Sequence, residues 1–368
     1  MFNRLALLLV ICLIHPVNTL ALSAKSAILI DGHTGRVLME QNARERMGMA
    51  STTKIMTALI ALEEGDLNSE VEISYFAAGM IGSSMYLKSG EKITLLDLIY
   101  GLMLNSGNDA AAAIAEHIGK DMETFADLMT QKAKSFGLND TSFANSHGLD
   151  ADNHYTTAYD LAQITRRALE IPLFAQIAAT KAITIGMGEN ARTLVNHNKM
   201  LSLYKGATGV KTGFTKKCGR CLVSSATRDC LKLIAVTLNA PDDWNDHKQM
   251  LDYGFANYKW KSPVKKGDYM KAVPLMGAEY DKILLYAGEG VELAAKSGDV
   301  IKVVYDVPNF VQAPVFNGQR IGSAQVLLSG KVIKTINLIA AEDIAPTNED
   351  RYKKTYFYIF RELFRLFR

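Results

Sequence analysis

Cysteine is scarce, with four in 368 residues, and Cys12 lies inside an apolar run at the N-terminus. The other three, Cys218, Cys221 and Cys230, are odd in number, which argues against a disulfide framework. Cys218-Gly219-Arg220-Cys221 is a single C-x-x-C with no histidine at ligand spacing. A metal or redox site is therefore less favoured than an ordinary pair of loop thiols. A large charge excess is also missing: the formal net charge is +3, so the chain as a whole does not call for nucleic acid or another acidic polymer. Low-complexity tracts and internal repeats are absent. The N-terminal apolar run, Leu5 to Ile14, spans only ten residues, too few for a bilayer.

What is present begins with that short run. Arg4 precedes it, His15 and Pro16 end it, and small residues follow at Ala21, Ser23 and Ala24. This is the order of a secretory signal, so residues 1–23 are expected to be an export signal cleaved near Ala21 to Ala24. A length of 368 residues suggests about two further domains. Residues 26–31 and 36–40 flank turn chemistry at Gly32 to Gly35 and predict a hairpin. Helices are predicted over 52–64, 94–104, 109–118 and 123–136, with Thr94 and Asp97 as a capping pair. Another starts at Thr157 and must stop before Pro172. Strands return at 222–227 and 231–239, and a helix follows near 244–258. Strands, then helices, then strands again predict an α+β fold with one antiparallel sheet and a helical cluster, over residues 24–262. Pro263 to Gly267 reads as a linker, and 263–345 as a small all-β domain.

Three short motifs carry chemistry. Ser51-Thr52-Thr53-Lys54 is an S-x-x-K, whose spacing puts Lys54 one helical turn from Ser51. A serine hydroxyl needs a base, and a lysine serves if burial or nearby positive charge lowers its pKa. The pattern alone is weak, because Ser89/Lys92, Ser202/Lys205 and Ser262/Lys265 match it too. Ser106-Gly107-Asn108 sits between two apolar helices and is also plain turn chemistry. Lys211-Thr212-Gly213 ends a predicted strand, where Lys and Thr suit a terminal carboxylate and Gly admits a substrate backbone. In this order the three motifs form the set known from penicillin-binding proteins and class A β-lactamases.

Over nearly its whole length the chain resembles the D-alanyl-D-alanine carboxypeptidases among the low-molecular-mass penicillin-binding proteins. The resemblance lies in residues 50–58, in 100–111 and in Gly209 to Thr215. It extends to Asn145-Ser146-His147-Gly148-Leu149, where Ser146 replaces the family's proline. It implies a β-lactamase/transpeptidase-like domain followed by a β-rich domain, with no cofactor and no metal. It implies peptidoglycan stem peptides as substrates and β-lactam antibiotics as acylating inhibitors. By the same resemblance Ser51 is the nucleophile, Lys54 the base, and Ser106 and Asn108 complete the proton network. Lys211, Thr212 and Gly213 would bind the substrate. The backbone N–H of Ser51 and one just after Gly213, assigned to Thr215, would form the oxyanion hole. His147 is expected to be structural. Lys216, Lys217 and Cys218 depart from the family, which often carries acidic or small residues there. A β-lactamase is disfavoured because no Glu-x-x-Leu-Asn segment lies between Asn108 and Lys211.

Residues 351–368 hold six basic residues and one acidic one. On a helical wheel Tyr352, Tyr356, Ile359, Phe360, Leu363 and Phe367 share a face opposite Lys354, Arg361, Arg365 and Arg368. The expectation is a tail, 346–368, whose amphipathic helix lies on an anionic membrane surface.

Overall fold

The structure is a computed structural model that describes residues 20–347 except Met187, Glu189 and Asn190. Most of the expected export signal and all of the expected tail helix therefore lie outside the described residues. Among the described residues no helix is long and apolar enough to cross a membrane.

The chain opens with β1 (Ser26–Asp31) and β2 (Val37–Gln41), the predicted hairpin. A 3-10 turn, Ala50–Thr53, leads into α1 (Lys54–Glu64). The predicted helix thus starts two residues late, and Ser51 belongs to the tight turn before it. Next come β3 (Glu70–Glu72), α2 (Tyr75–Ala78), β4 (Lys92–Thr94), α3 (Leu95–Leu104), α4 (Asn108–Gly119) and α5 (Met122–Ser135). The Thr94 side chain accepts a hydrogen bond from the Asp97 amide and so caps α3 as the sequence implies. α6 (Ala158–Ala168) is capped by Thr157, and α7 (Pro172–Ala179) has Pro172 at its first position, where a missing N–H costs nothing. β5 (Ala182–Ile185), β6 (Arg192–Val195) and α8 (Met200–Leu203) lead to three long strands, β7 (Ala207–Thr215), β8 (Gly219–Arg228) and β9 (Leu231–Leu238), and then α9 (Asp243–Asn257).

The main sheet has the order β2-β1-β9-β8-β7, antiparallel throughout. β1, β9 and the middle of β8 are almost wholly buried, so both faces are covered. One face meets the helical core that includes Ile55, Leu59, Leu98 and Phe125, and the other meets α9 through Leu233, Met250 and Leu251. Burying a side chain of this size contributes about 1.5–3 kcal/mol. β7 is an edge strand, and the 3-10 turn packs against it.

The expected linker at 263–267 is partly strand. β10 (Tyr258–Val264) runs through Pro263 and pairs with β13 (Val291–Lys296). The register slips between Lys261 and Val264, and a proline is tolerated at such an irregularity on an edge strand. β14 (Ile301–Asp306), β16 (Arg320–Leu328), β17 (Lys331–Ala340), β12 (Lys282–Ala287), β11 (Tyr269–Met276) and β15 (Val311–Gln312) form a second sheet in that order. Its core is made of small aliphatic side chains such as Leu285, Val326 and Leu338.

Candidate active site

Four segments converge at the free edge of β7. The first is the 3-10 turn. Ala50 holds φ +48, a left-handed conformation that disfavours a residue with a Cβ. The turn is fixed by Thr52 Oγ1 donating to the Met49 carbonyl (2.6 Å) and Thr53 Oγ1 donating to the Ala50 carbonyl (2.8 Å). Ser51 is half-buried, and the Lys54 side chain below it is fully buried.

Lys54 Nζ has three neighbours. Ser51 Oγ lies at 3.0 Å, Asn108 Oδ1 at 2.8 Å and the His147 carbonyl at 2.5 Å. Burial, and next the charge of Lys211, push the Lys54 pKa well below its ordinary value, against a smaller opposing pull from Asp109. Both oxygen acceptors are formally neutral, so they do not offset the cost of burying a charge. A neutral amine has two N–H bonds and one lone pair. With Asn108 and the His147 carbonyl taking the two N–H bonds, the lone pair is left for the Ser51 hydroxyl.

The second segment is Ser106-Gly107-Asn108. Asn108 Nδ2 donates to the Ile81 carbonyl (2.6 Å), which turns Oδ1 toward Lys54. Asp109 accepts from the Met85 and Leu87 amides (3.1 Å each) and from Ser84 Oγ (2.6 Å), tying the 81–87 loop to the start of α4. Ser106 holds φ +59, and its buried Oγ has no hydrogen-bond partner among the described residues. The structure therefore gathers Ser51, Lys54 and Asn108 into direct contact but does not bond Ser106 to them. Two strained non-glycine residues beside one cleft fit a site where function fixes the backbone.

The third segment is 145–149. Asn145 Oδ1 accepts from the Gly148 amide (2.7 Å), and Asn145 Nδ2 donates to the Leu149 carbonyl (3.0 Å). Thr57 Oγ1 donates to the Ser146 carbonyl (2.6 Å). This tight turn aims the His147 carbonyl at Lys54. The His147 ring accepts from the Leu149 amide (3.1 Å), and burial holds its pKa down at about 3, as suits a neutral structural imidazole. Gly148 has φ +92, and a Cβ there would collide with the Ala50 carbonyl and come within 2.9 Å of the Ser51 nitrogen. The sequence resemblance marked this segment, but the use of its backbone carbonyl has no side-chain signal and was missed.

The fourth is β7 itself. Gly213 pairs with Cys221 on β8, and a Cβ on Gly213 would lie 2.9 Å from the Ser51 nitrogen. Only glycine lets the strand and the turn approach this closely. Lys211 is fully buried, its Nζ donates to the Thr212 carbonyl (3.0 Å), and burial lowers its pKa to about 7. Thr212 is half-buried in the same strand. Thr215 is expected to lend its backbone N–H, and its side chain has a separate use. Its hydroxyl donates to Asp150 Oδ1 (2.9 Å) and accepts from the Cys218 amide (2.9 Å), so its side chain braces the turn after β7. Cys218 Sγ also donates to Asp150 (3.0 Å), and Cys221 is buried near the Gly48 carbonyl. Both thiols are free, and burial raises their pKa values, Cys221 to about 12, so neither is an activated nucleophile.

An antiparallel sheet with a helical cluster, and these motifs meeting at one sheet edge, define a transpeptidase-like domain of the penicillin-binding class. Solved structures agree. Penicillin-binding protein 5 of Haemophilus influenzae aligns at a TM-score of 0.75 and 30% identity, over 89% of this chain and 99% of that one. A mutant of the Streptomyces K15 DD-transpeptidase aligns at a TM-score of 0.62 and 32% identity, over 64% of this chain and 98% of that one. Among curated proteins, D-alanyl-D-alanine carboxypeptidase DacF of Bacillus subtilis is 34% identical over 89% of this chain and 87% of its own length. DacC of Escherichia coli is 32% identical over 90% and 86%. The family model for D-alanyl-D-alanine carboxypeptidase matches residues 15–242, and that for the penicillin-binding protein 5 C-terminal domain matches 258–346. The chain belongs to the D-alanyl-D-alanine carboxypeptidase family, a family of serine-type peptidases.

Proposed function

We propose that the chain removes the terminal D-alanine from peptidoglycan stem peptides through an acyl-enzyme on Ser51, and that β-lactams acylate the same oxygen. The observation that carries this reading is the Lys54 geometry: a buried amine with a lowered pKa, 3.0 Å from Ser51 Oγ, whose other two neighbours are both acceptors. Ser51 Oγ attacks the carbonyl carbon of the penultimate D-alanine while its proton passes to Lys54 Nζ. The resulting oxyanion is met by the Ser51 amide and one amide of β7 beyond Gly213. As the carbon–nitrogen bond breaks, the proton moves from Lys54 to the leaving amine, with Ser106 available as a relay. Water then attacks the ester by the same route in reverse, leaving the shortened peptide and free Ser51. Lys211, still substantially charged near neutral pH, and Thr212 hold the terminal carboxylate. The substrate backbone lies along the free edge of β7, in the manner of an added strand.

Residues 1–23 and the basic, aromatic composition of 351–368 support a position outside the cytoplasmic membrane, lying against it. For the domains, the reading keeps a peptidase part ending near residue 262 and a β-rich part after it. The test uses fluorescent penicillin and a diacyl-Lys-D-Ala-D-Ala peptide. Wild type should be labelled and should release D-alanine, and Ser51→Ala should do neither. Labelling that survives Ser51→Ala would sink the assignment, and penicillin turnover without D-alanine release would make the chain a β-lactamase.

A further inference from the structure

A large cavity lies away from Ser51, in a groove of about 670 Å3 where the two domains meet. It shares no residue with the site described above. One wall is the turn after β1, with His33, and the end of α6, with Arg166 and Arg167. The other is the turn after β10, with Lys265 and Lys266, and Lys334 of β17. Five permanently cationic side chains face two carboxylates, Glu170 and Glu292. Glu289, which pairs with Lys334, brings the carboxylates to three and leaves a local excess of two positive charges, so near-neutrality in the sequence conceals a positive patch.

The cations differ in their pairing. Arg166 and Arg167 share one carboxylate, Glu170, at 2.6 and 3.7 Å. Lys334 pairs with Glu289 at 2.6 Å, and His33 with Glu292 at 3.1 Å. Lys265 and Lys266 have no side-chain partner among the described residues. Their backbone is nonetheless firmly held. The Lys265 amide donates to Asp268 (2.7 Å), and the Gly267 amide donates to the Ala287 carbonyl (2.8 Å). Gly290, just before β13, lies in van der Waals reach of the Val264 carbonyl and the Lys266 nitrogen, so that segment packs against the turn. Two unpaired ammonium groups are thus presented from a braced turn into a concavity, where low-dielectric walls focus their field on an anion.

Size and lining narrow the ligand. The volume is many times that of one phosphate, and most of the side chains that line the groove are charged or polar. A flat bilayer cannot follow the floor of a groove, whereas a flexible chain can. We propose that this groove binds a soluble, chain-like phosphate polyanion, gripped by Lys265, Lys266 and Arg167 across the domain seam.

The test uses the full chain with inorganic tripolyphosphate as the soluble probe, titrated calorimetrically at low and at physiological salt. Wild type should bind, with affinity falling steeply as salt rises. The K265Q/K266Q double variant should bind at least about tenfold more weakly, while fluorescent penicillin labelling stays unchanged. Equal affinity in wild type and double variant would overturn the proposal, as would no binding at roughly millimolar probe. Flotation with phosphatidylglycerol vesicles separates the sources. Unaltered flotation of the double variant fits a soluble polymer, and lost flotation would move the ligand into a lipid headgroup and overturn the assignment.

Discussion

The two domains handle polar groups in opposite ways. The first buries Lys54, Lys211, Asn108, Asp109, His147 and many other polar side chains, whereas from residue 258 onward Ser323 is the one buried polar residue among those described. Each buried polar group costs stability unless it is partnered, and a buried charge costs more. The second domain avoids that cost with a core of Val, Leu, Ile and Ala. The first accepts it where Ser51, Lys54, Asn108 and Lys211 meet, because a lysine must be dehydrated to act as a base near neutral pH. Polar burial therefore separates the part of the chain built for reaction from the part built for support.

The largest expected effect breaks that comparison most directly. Ser51→Ala should lower D-alanine release by roughly 10^4-fold or more while leaving the fold intact. Its counterpart in the second domain is Leu338→Ala, a fully buried position. That change should cost about 2–5 kcal/mol of stability, read as a lower urea midpoint, yet leave the acylation rate per folded molecule unchanged. A rate loss in Leu338→Ala beyond its folded fraction would mean that the second domain shapes the site. Between these lies Gly148→Ala, which forces a Cβ into the Ala50 carbonyl at a positive φ. Displacing the Ser51 turn should slow penicillin acylation by about 10^2-fold, measured by stopped flow, and wild-type kinetics in this variant would refute the role of the close approach.

Legibility followed the same divide. The α3 cap at Thr94, the β1–β2 hairpin and the strands of the main sheet were readable because propensity, pattern and turn chemistry agree there. The late start of α1 was not, because Thr52 and Thr53 satisfy carbonyls one turn back and tighten a 3-10 turn that no apolar period reports. Pro263 misled because a proline reads as a linker until a bulged edge strand accommodates it. In the site, Ser51, Lys54, Asn108 and Lys211 announce themselves by side chain. The His147 carbonyl and the Ile81 carbonyl do not, since every residue has one. Nor does the bond from the Thr215 hydroxyl to Asp150, 65 residues distant, announce itself.

The pH dependence of turnover sharpens the contrast within the first domain. Burial places the Lys211 pKa at about 7, while Lys54 is pushed down by burial and by Lys211 itself. In the proposed mechanism acylation needs Lys54 neutral, so kcat/KM should rise with pH through the depressed Lys54 titration. The proposed grip on the carboxylate needs Lys211 charged, so KM for the peptide should climb as pH passes about 7. A charge-assisted bond of this kind is worth about 1.5–3 kcal/mol, which corresponds to a loss of about ten- to a hundredfold in kcat/KM. Lys211→Gln should start from that reduced value and lose the basic limb. A basic limb that survives the substitution would assign it to another group.

The smallest effect per group concerns stability in mild acid, and it should divide the domains cleanly. The chain has seven histidines, and none lies beyond His247. Burial lowers the pKa of His147 and His247 to about 3 and of His154 to about 4. Around His147 stand Lys54 and His154, both of which oppose its protonation; His154 is pulled up by Asp150 and down by Lys54. His247 lies between the hydroxyls of Ser224 (2.5 Å) and Thr237 (2.9 Å), with no charged partner bonded to the ring. In the unfolded chain these rings take up protons near pH 6.5, whereas the folded protein keeps them neutral. The unfolded state therefore binds more protons, and stability falls as pH drops. Between pH 6.5 and 5, where most carboxylates remain ionised, each ring should remove about 1.5 kcal/mol from the first domain. The second domain has no such group and should hold its urea midpoint across that window. Pulse proteolysis in urea, with fragments assigned by mass, reads the two separately. Equal acid shifts in both would show that they unfold as one unit, with the histidines of the first destabilising the second through the seam.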